Sequence, residues 1–264
     1  MKNKKIAIIG CGNLGVSIAN GLVDEKLVSP QDITATRRNT SALSELASRG
    51  VTVSSDNENA IKESEIIIVA LKPYTILEIL EQLRTSFDPQ KHILVSLATG
   101  ISLNELQQTL KSNVPVFRAM PNTAADVGTS MTCVATHSTD QEAAGIVQQC
   151  FDAIGETIVI NEGLMDAATV LGACGIAYVL RFIRGMIQGG IEIGFDAKTA
   201  SAIVTQTVKG AAELLIQRNH HPEYEIDKVT TPKGCTIAGL NEMEHNGFSS
   251  ALIKGITTSF EKID

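Results

Sequence analysis

Apolar positions along the first 160 residues follow two different periods. Segments with helical spacing lie at 41–48, after Pro73 and at 139–154, and Ser102 with Glu105 has the pattern of a capping box. Between these segments, short apolar runs of the strand type occupy residues 5–9, 33–36, 51–53, 65–71, 92–98, 114–118, 129–135 and 157–160. Strands that alternate with helices predict an α/β fold with a doubly wound, mostly parallel sheet.

The pattern changes after residue 160. Strand-type runs disappear, and residues 164–194 and 196–218 carry small and apolar side chains on several helical faces. A helix that is apolar nearly all round must be buried against something, and the second half of the chain is short. We therefore predict one domain at 1–160 and an all-α domain at 161–264 that forms a homodimer. A compact monomeric bundle is the alternative.

Composition and charge narrow the class of protein. With 44% hydrophobic and 19% charged residues, the chain is typical of a soluble globular protein with a real core. A net charge of −7 argues against nucleic acid as a partner. The uncharged stretch at 167–180 is shorter than the roughly 20 residues of a membrane span, which predicts no membrane association.

The number and spacing of the cysteines indicate the cellular compartment of the protein. The five cysteines form no CxxC pair and no cluster with zinc spacing. This pattern favours a reduced, cytoplasmic protein without a metal site. Because the chain enters a strand almost at once, we also expect no signal peptide.

A glycine-rich loop follows the first strand directly. It consists of Gly10, Cys11, Gly12, Asn13, Leu14 and Gly15, and a helical pattern follows it. Gly10 suits a tight turn, Gly12 lets the backbone approach a pyrophosphate, and Gly15 lets the helix pack closely on the strand. Free N–H groups at the helix start then face the anion. The loop predicts a Rossmann-type dinucleotide site, with a purely structural glycine turn as the alternative.

The end of the second strand indicates which dinucleotide binds. Thr36, Arg37 and Arg38 stand where an Asp or Glu would accept hydrogen bonds from both ribose hydroxyls of NADH. Two guanidinium groups and a hydroxyl instead suit a 2′-phosphate. We predict NADPH, with NADH as a possible second cofactor. A solvated pair of surface arginines is the alternative.

Further cofactor contacts are expected at neighbouring strand ends, where ligands bind in open α/β sheets. Ala70, Lys72 and Pro73 follow the buried strand at 65–71, and Ala98 ends the strand at 92–98. Lys72 can reach a ribose or phosphate, although Pro73 is also ordinary at a helix start. Asn57 is a candidate for the adenosine side, and a simple turn residue is an equal alternative.

Two other segments suit a substrate. Met120, Pro121 and Asn122 follow the sixth strand at the predicted cofactor edge. Far along the chain, the hydroxyl-rich stretch at 230–239 leads into a helix and contains Thr231, Gly234, Cys235 and Thr236. Hydroxyl and N–H groups at a helix start form an anion site, which suits a substrate carboxylate.

These segments together resemble the pyrroline-5-carboxylate reductase family over essentially the whole chain. The resemblance rests on the loop at 10–15, on Val69-Ala70-Leu71-Lys72-Pro73, on residues 118–123 and on residues 230–240. It implies a Rossmann domain joined to an all-α dimerisation domain, and dimers that can assemble further into a decamer, a ring of five. It also implies a site between subunits.

The resemblance further implies residue roles. Thr231 and residues 234–236 match the family loop that holds the pyrroline carboxylate against the nicotinamide, and Thr236 matches the threonine that hydrogen-bonds the ring nitrogen. Two positions depart from the family pattern. Lys233 stands where the family has a second glycine, and Ile176 stands where its Ser-Gly-Pro-Ala-Tyr segment has proline.

The implied reaction reduces (S)-1-pyrroline-5-carboxylate to L-proline with NAD(P)H, the last step of proline biosynthesis. Thr236 is the candidate catalytic residue, and the five histidines are expected on the surface or in loops. The alternatives are a general imine reductase, a β-hydroxyacid dehydrogenase, or a non-catalytic NADP-binding scaffold. The dehydrogenases typically use a lysine early in the helical domain, and residues 162–180 contain none.

Overall fold

Eight strands form one sheet in the computed structural model, which describes residue 1 and residues 4–263. The strands are β1 Ile6–Ile9, β2 Ile33–Thr36, β3 Thr52–Ser54, β4 Ile66–Val69, β5 Ile93–Ser96, β6 Val116–Met120, β7 Ser130–Thr136 and β8 Gly155–Val159. Their order is β3-β2-β1-β4-β5-β6-β7-β8, and only the β6–β7 pair is antiparallel. The predicted mostly parallel sheet is confirmed, and its strand order reverses between β1 and β4.

Alternating side chains of the strands bury two apolar layers. Ile6 and Ile8 of β1 face a cluster that includes Ile18 and Phe151, whereas Ala7 and Ile9 face the opposite cluster. All four residues of β1 are buried, which is expected for a central parallel strand with helices on both faces. These two layers fix the carboxyl end of β1 at the middle of the sheet edge.

Seven α-helices accompany the sheet within the described residues. They are α1 Asn13–Asp24, α2 Ser44–Ser48, α3 Asn57–Lys62, α4 Pro73–Leu83, α5 Leu103–Leu110, α6 Gln141–Asp152 and α7 Met165–Ala168. The predicted capping box is present at α5, where the N–H of Glu105 donates to the Ser102 hydroxyl at 3.2 Å. The helix predicted at 41–48 begins instead as a 3-10 turn, because Asn39 accepts the N–H of Ser41.

Two strands differ from their predicted bounds at the edge where ligands bind. β4 stops at Val69 rather than 71, because Lys72 and Pro73 begin α4. β6 starts and ends two residues later than predicted, so that Met120 is its last residue. As a result, Pro121 and Asn122 immediately follow the strand at the sheet edge.

The described residues form two compact units, Met1–Cys174 together with Ile263, and Gly175–Lys262. The segment after β8 belongs to the first unit, since the Asn122 amide donates to the Gly172 carbonyl at 3.2 Å and Met165 is fully buried. The functional boundary at 160/161 therefore stays a prediction.

The second unit is entirely helical. It contains α8 Gly175–Glu192, α9 Ala197–Arg218, α10 Pro222–Val229, α11 Cys235–His245 and α12 Phe248–Phe260. A groove of about 740 Å³ is lined by apolar side chains that include Phe182, Met186, Phe248 and Leu252. The hydroxyl of Tyr178, which also lines the groove, lies 2.6 Å from that of Ser259. The exposed apolar surface is typical of a protein–protein interface.

The segment Glu162–Glu192 is also long and apolar enough to cross a membrane by length and composition alone, since an 18-residue stretch within it has a mean hydropathy of 1.6. The segment contains Arg181 and Arg184, the two arginines that close the uncharged stretch in the sequence. The absence of a membrane span stays a prediction.

Candidate active site

The glycine loop follows β1 in a tight turn. Gly10 has a φ of +77°, and a Cβ on it would lie 2.3 Å from the Leu71 side chain. Gly15 lies close to β1, because a Cβ there would be 3.0 Å from both Ile8 and Cys11. The backbone conformation at position 10 and the close approach to β1 at position 15 therefore both favour glycine, as the dinucleotide interpretation expects. Leu71, whose contact with Gly10 the sequence does not reveal, closes the turn from the end of β4.

Gly12 has a different environment. A Cβ on Gly12 would meet nothing nearer than the Gly10 carbonyl at 3.9 Å, so open space lies in front of it. Gly12 is also the N-cap of α1, which has neither a side-chain cap nor an acidic residue in its first turn. The first N–H groups of α1, beginning with Asn13 and Leu14, thus have no side-chain partner at the cap. This start fits a pyrophosphate.

A short hydrogen-bonded chain joins the loop to β2 and α3. The N–H of Gly10 donates to the Thr36 hydroxyl at 3.3 Å, and that hydroxyl donates to the side-chain oxygen of Asn57 at 2.6 Å. The N–H of Cys11 donates to the Thr36 carbonyl at 2.7 Å. Asn57 is therefore more than a turn residue: it begins α3 and connects to the loop through Thr36.

Arg37 and Arg38 come directly after β2. Arg37 is half-buried and Arg38 is exposed. Within the part of the chain that the structure describes, neither guanidinium lies within salt-bridge distance of a carboxylate. Both side chains can therefore serve a 2′-phosphate, and the residues present fit NADPH.

The ends of β4 and β5 complete this edge. The position of Ala70 is fixed by its N–H, which donates to the Ile9 carbonyl at 2.8 Å. Lys72 is the exposed N-cap of α4 and Pro73 is its first residue. Ala98 is buried after β5, and its N–H donates to the Ser96 hydroxyl at 3.3 Å. The sequence-predicted contacts thus follow adjacent parallel strands.

Met120 is the last residue of β6 and Pro121 and Asn122 follow it, and all three are buried. The Asn122 side chain accepts from the N–H of Ala124 at 3.0 Å and donates to the Gly172 carbonyl at 3.2 Å. Its own N–H donates to the Ser130 hydroxyl at 3.0 Å. Asn122 therefore fixes the shape of this loop, and its role toward a substrate stays a prediction.

A buried ion pair lies on the neighbouring part of β6, which sequence reasoning missed. One nitrogen of the Arg118 guanidinium, Nη1, lies 3.2 Å from Oε1 of Glu162. Oε1 also accepts the N–H of Leu103 at 2.6 Å, and Oε2 lies 3.1 Å from Nε2 of His137. Nothing in the local sequence signals a pairing across 44 residues.

The loop before α11 carries the other candidate residues. The N–H of Gly234 donates to the Thr231 carbonyl at 2.9 Å, and a Cβ on Gly234 would lie 2.6 Å from the Thr231 hydroxyl. Gly234 is the N-cap of α11, again without a side-chain cap or an acidic residue in the first turn. Cys235 and Thr236 are the first two residues of the helix and are exposed. This start can bind an anion through N–H and hydroxyl groups.

Cysteine and histidine side chains differ in their environments. Burial raises the pKa of the Cys11 thiol to about 12, and that of Cys150 equally, so both are neutral at physiological pH. His92 lies in a loop, as expected of the histidines, but it is buried, with 3% of its surface exposed. His92 packs edge-on against Phe87 and accepts the N–H of Asp88 at 2.8 Å.

Burial lowers the pKa of His92, and the charge of Lys91 acts in the same direction. Sequence reasoning missed this position because His92 precedes an apolar strand and resembles a strand-start residue. No group of three or more His, Cys, Asp or Glu side chains that could hold a metal ion occurs in residues 1 and 4–263.

Two family models match the chain. The model described as pyrroline-5-carboxylate reductase dimerisation matches residues 162–264, and that described as NADP oxidoreductase, coenzyme F420-dependent, matches residues 5–100. Pyrroline-5-carboxylate reductase 2 of Dictyostelium discoideum is 42% identical over 98% of this chain and 92% of its own length.

Pyrroline-5-carboxylate reductase 1 of Dictyostelium discoideum is 45% identical over 97% of this chain. The chain spans about half the length of that relative, 49%. The identity in both cases extends through the two halves of the chain.

Solved structures give the same picture. A pyrroline-5-carboxylate reductase from Coxiella burnetii has a TM-score of 0.92 at 25% identity, covering 98% of this chain and 97% of its own. Pyrroline carboxylate reductase of Plasmodium falciparum, solved with NADP bound, has a TM-score of 0.87 at 25% identity and covers 99% and 97%.

Proposed function

The chain belongs to the pyrroline-5-carboxylate reductase family, and on that premise we propose that it reduces (S)-1-pyrroline-5-carboxylate to L-proline with NADPH. The observation that carries the proposal is the similarity of the full chain to members of the family at 42% identity. The activity places the protein at the last step of proline biosynthesis. NADH is proposed as a second, weaker cofactor.

The residues of the sheet edge bind and orient the cofactor. Gly10, Gly12 and the start of α1 receive the pyrophosphate, while Thr36, Arg37 and Arg38 receive the adenosine ribose and its 2′-phosphate. Asn57 acts through Thr36. We propose that further residues contact the cofactor at the same edge, namely Cys11, Asn13, Leu14, Ala70, Lys72, Pro73 and Ala98. NADPH supplies the hydride that reduces the C=N bond.

The substrate is held by two segments. Met120, Pro121 and Asn122 contact the substrate at the sheet edge. Thr231 and residues 234–236 bind its carboxylate at the start of α11. The hydroxyl of Thr236 hydrogen-bonds the ring nitrogen and keeps its proton in place while the ring carbon is reduced. A cyclic imine is readily protonated in water, so no stronger acid is required.

We further propose that residues 1–160 bind the cofactor and that residues 161–264 bind substrate and form a homodimer. The exposed apolar surface of α8 and α12, including Leu180, Phe182 and Ile253, supports a second copy as the partner. Dimers can assemble further into a decamer. We also propose that the protein is cytoplasmic and binds neither membrane nor nucleic acid, because its apolar helices serve to form the dimer.

An assay of NADPH oxidation tests the proposal. The purified chain is offered pyrroline-5-carboxylate, a 3-oxo acid or no second substrate, and the products are identified by chromatography. Oxidation with formation of L-proline in the first reaction alone is expected. Preference for the 3-oxo acid would assign the chain to the β-hydroxyacid dehydrogenases, and no oxidation with either would leave a binding protein.

A further inference from the structure

The loop that precedes α11 contains one charged residue, Lys233, in a strained conformation. Its φ is +62°, in the left-handed region that side chains other than glycine rarely adopt. The turn is closed by the N–H of Gly234 on the Thr231 carbonyl at 2.9 Å, with Pro232 and Lys233 in its middle positions. In such a turn the third position favours glycine.

The two positions after Pro232 are not equivalent. Gly234 can carry no side chain, because a Cβ would lie 2.6 Å from the Thr231 hydroxyl and 2.9 Å from its carbonyl oxygen. Lys233, by contrast, is exposed, so its side chain costs only backbone strain. Position 233 is thus the place in this turn where a side chain can be added without a steric clash.

The positive charge at position 233 stands apart from other charged side chains. Lys233 is the only charged residue from Thr230 to Leu240. Among the described residues its ammonium forms no salt bridge. It comes two residues before the first helical residue of α11, whose start carries the positive end of the helix dipole.

We propose that Lys233 is a specificity-determining residue, whose ammonium attracts the substrate carboxylate to the start of α11. The inference rests on the proposed function and refines it. N–H groups alone bind a carboxylate by short-range hydrogen bonds, whereas an added cation extends the attraction into solvent. The chain therefore selects carboxylate-bearing cyclic imines over neutral ones more strongly than the turn without a cation would.

The experiment compares pyrroline-5-carboxylate with 1-pyrroline, which lacks the carboxylate, at low ionic strength. The measured quantity is the ratio of kcat/KM for the two substrates. K233Q removes the charge and keeps the strain, K233G removes both, and K233R keeps the charge. We expect the ratio to fall about fivefold in K233Q and K233G, through KM for the carboxylate substrate, and to be retained in K233R.

Lys26 provides the matched control, because it is an exposed lysine with a φ of +55° in the first unit. K26Q should leave the ratio unchanged. A ratio that is equal in wild type and K233Q, or that falls in K233R as far as in K233Q, would overturn the inference while the reductase activity stands. A wild-type chain that reduces neither imine would instead remove the proposed function and this inference with it.

Discussion

The hydroxyl of Thr36 donates a hydrogen bond to the side-chain oxygen of Asn57 at 2.6 Å, and through it α3 is connected to the glycine loop. Asn57→Ala removes the acceptor and leaves the hydroxyl with a poorly placed alternative, the Ile8 carbonyl at 3.5 Å. A lost hydrogen bond of this kind is worth about 1 kcal/mol, so we expect the Kd for NADPH to rise about fivefold in isothermal titration.

The control for this change is Asn59→Ala, which lies in the same helix and is exposed. An equal loss of NADPH affinity in both variants would mean that α3 as a whole, and not the Thr36 contact, is responsible.

The paired arginines should set the preference between the two dinucleotides. In the double variant Arg37→Ala, Arg38→Ala we expect NADPH affinity to fall by about a hundredfold or more, since charge-assisted hydrogen bonds contribute roughly 1.5–3 kcal/mol each. NADH affinity should change little, because NADH lacks the 2′-phosphate. Arg84→Ala serves as the control, since Arg84 pairs with Glu81 instead. A parallel loss for both cofactors would contradict the assignment.

Thr236 should act on the chemical step more than on cofactor binding. We expect Thr236→Ala to lower kcat on the order of tenfold to a hundredfold, while the Kd for NADPH stays within a factor of about two. Thr236→Ser keeps the hydroxyl and should restore most of the rate in steady-state assays with pyrroline-5-carboxylate. Full activity in the alanine variant would exclude Thr236 from catalysis.

The Arg118–Glu162 pair should contribute to stability because Arg118 is buried. Glu162→Gln removes the carboxylate that lies 3.2 Å from the guanidinium, and removing one partner of a buried pair costs about 3–5 kcal/mol. Urea unfolding should show a loss of that order. Glu81→Gln breaks the half-exposed pairs of Glu81 with Arg84 and Lys111 and should cost less than about 1 kcal/mol. Equal losses in the two variants would show that burial does not strengthen the first pair.

His92 should make stability depend on pH. Because burial lowers its pKa below the ordinary 6.5, the unfolded chain binds the proton before the folded chain does as the pH falls. Its contribution to stability is complete above pH 6.5 and is lost as the pH falls from there through the folded pKa. We expect a shallower decline in His92→Gln, measured by urea unfolding at a series of pH values. The exposed His245→Gln should retain the wild-type decline.

Local patterns predicted most of the first unit. The glycine loop, the capping box of Ser102 and the alternation of strands and helices are properties of neighbouring residues, so the sequence displays them directly. Strand ends were less accurate, as β6 shows, because pairing with β5 and β7 decides where a strand stops. Asn57 was ambiguous for the same reason, since its partner Thr36 lies 21 residues away.

Contacts over long distances in the chain could not be predicted. Arg118 pairs with Glu162, and His92 is enclosed by Phe87 and the turn at Asp88, through packing that only the folded chain creates. The strain at Lys233 is a related case. The sequence shows a lysine in place of a glycine, but the φ angle and the crowding at Gly234 distinguish a tolerated position from a forbidden one.

The two helices assigned to ligands, α1 and α11, begin in the same way. Each starts from a glycine that offers no side chain to its first N–H groups, as α12 also does after Gly247, whereas α5, α6 and α9 are each capped by their own serine or aspartate. Under the proposed function, a pyrophosphate and a carboxylate take the place of those side chains. Ligand binding then has a structural consequence as well, because the ligands cap two helices whose first N–H groups the polypeptide itself leaves without a side-chain acceptor.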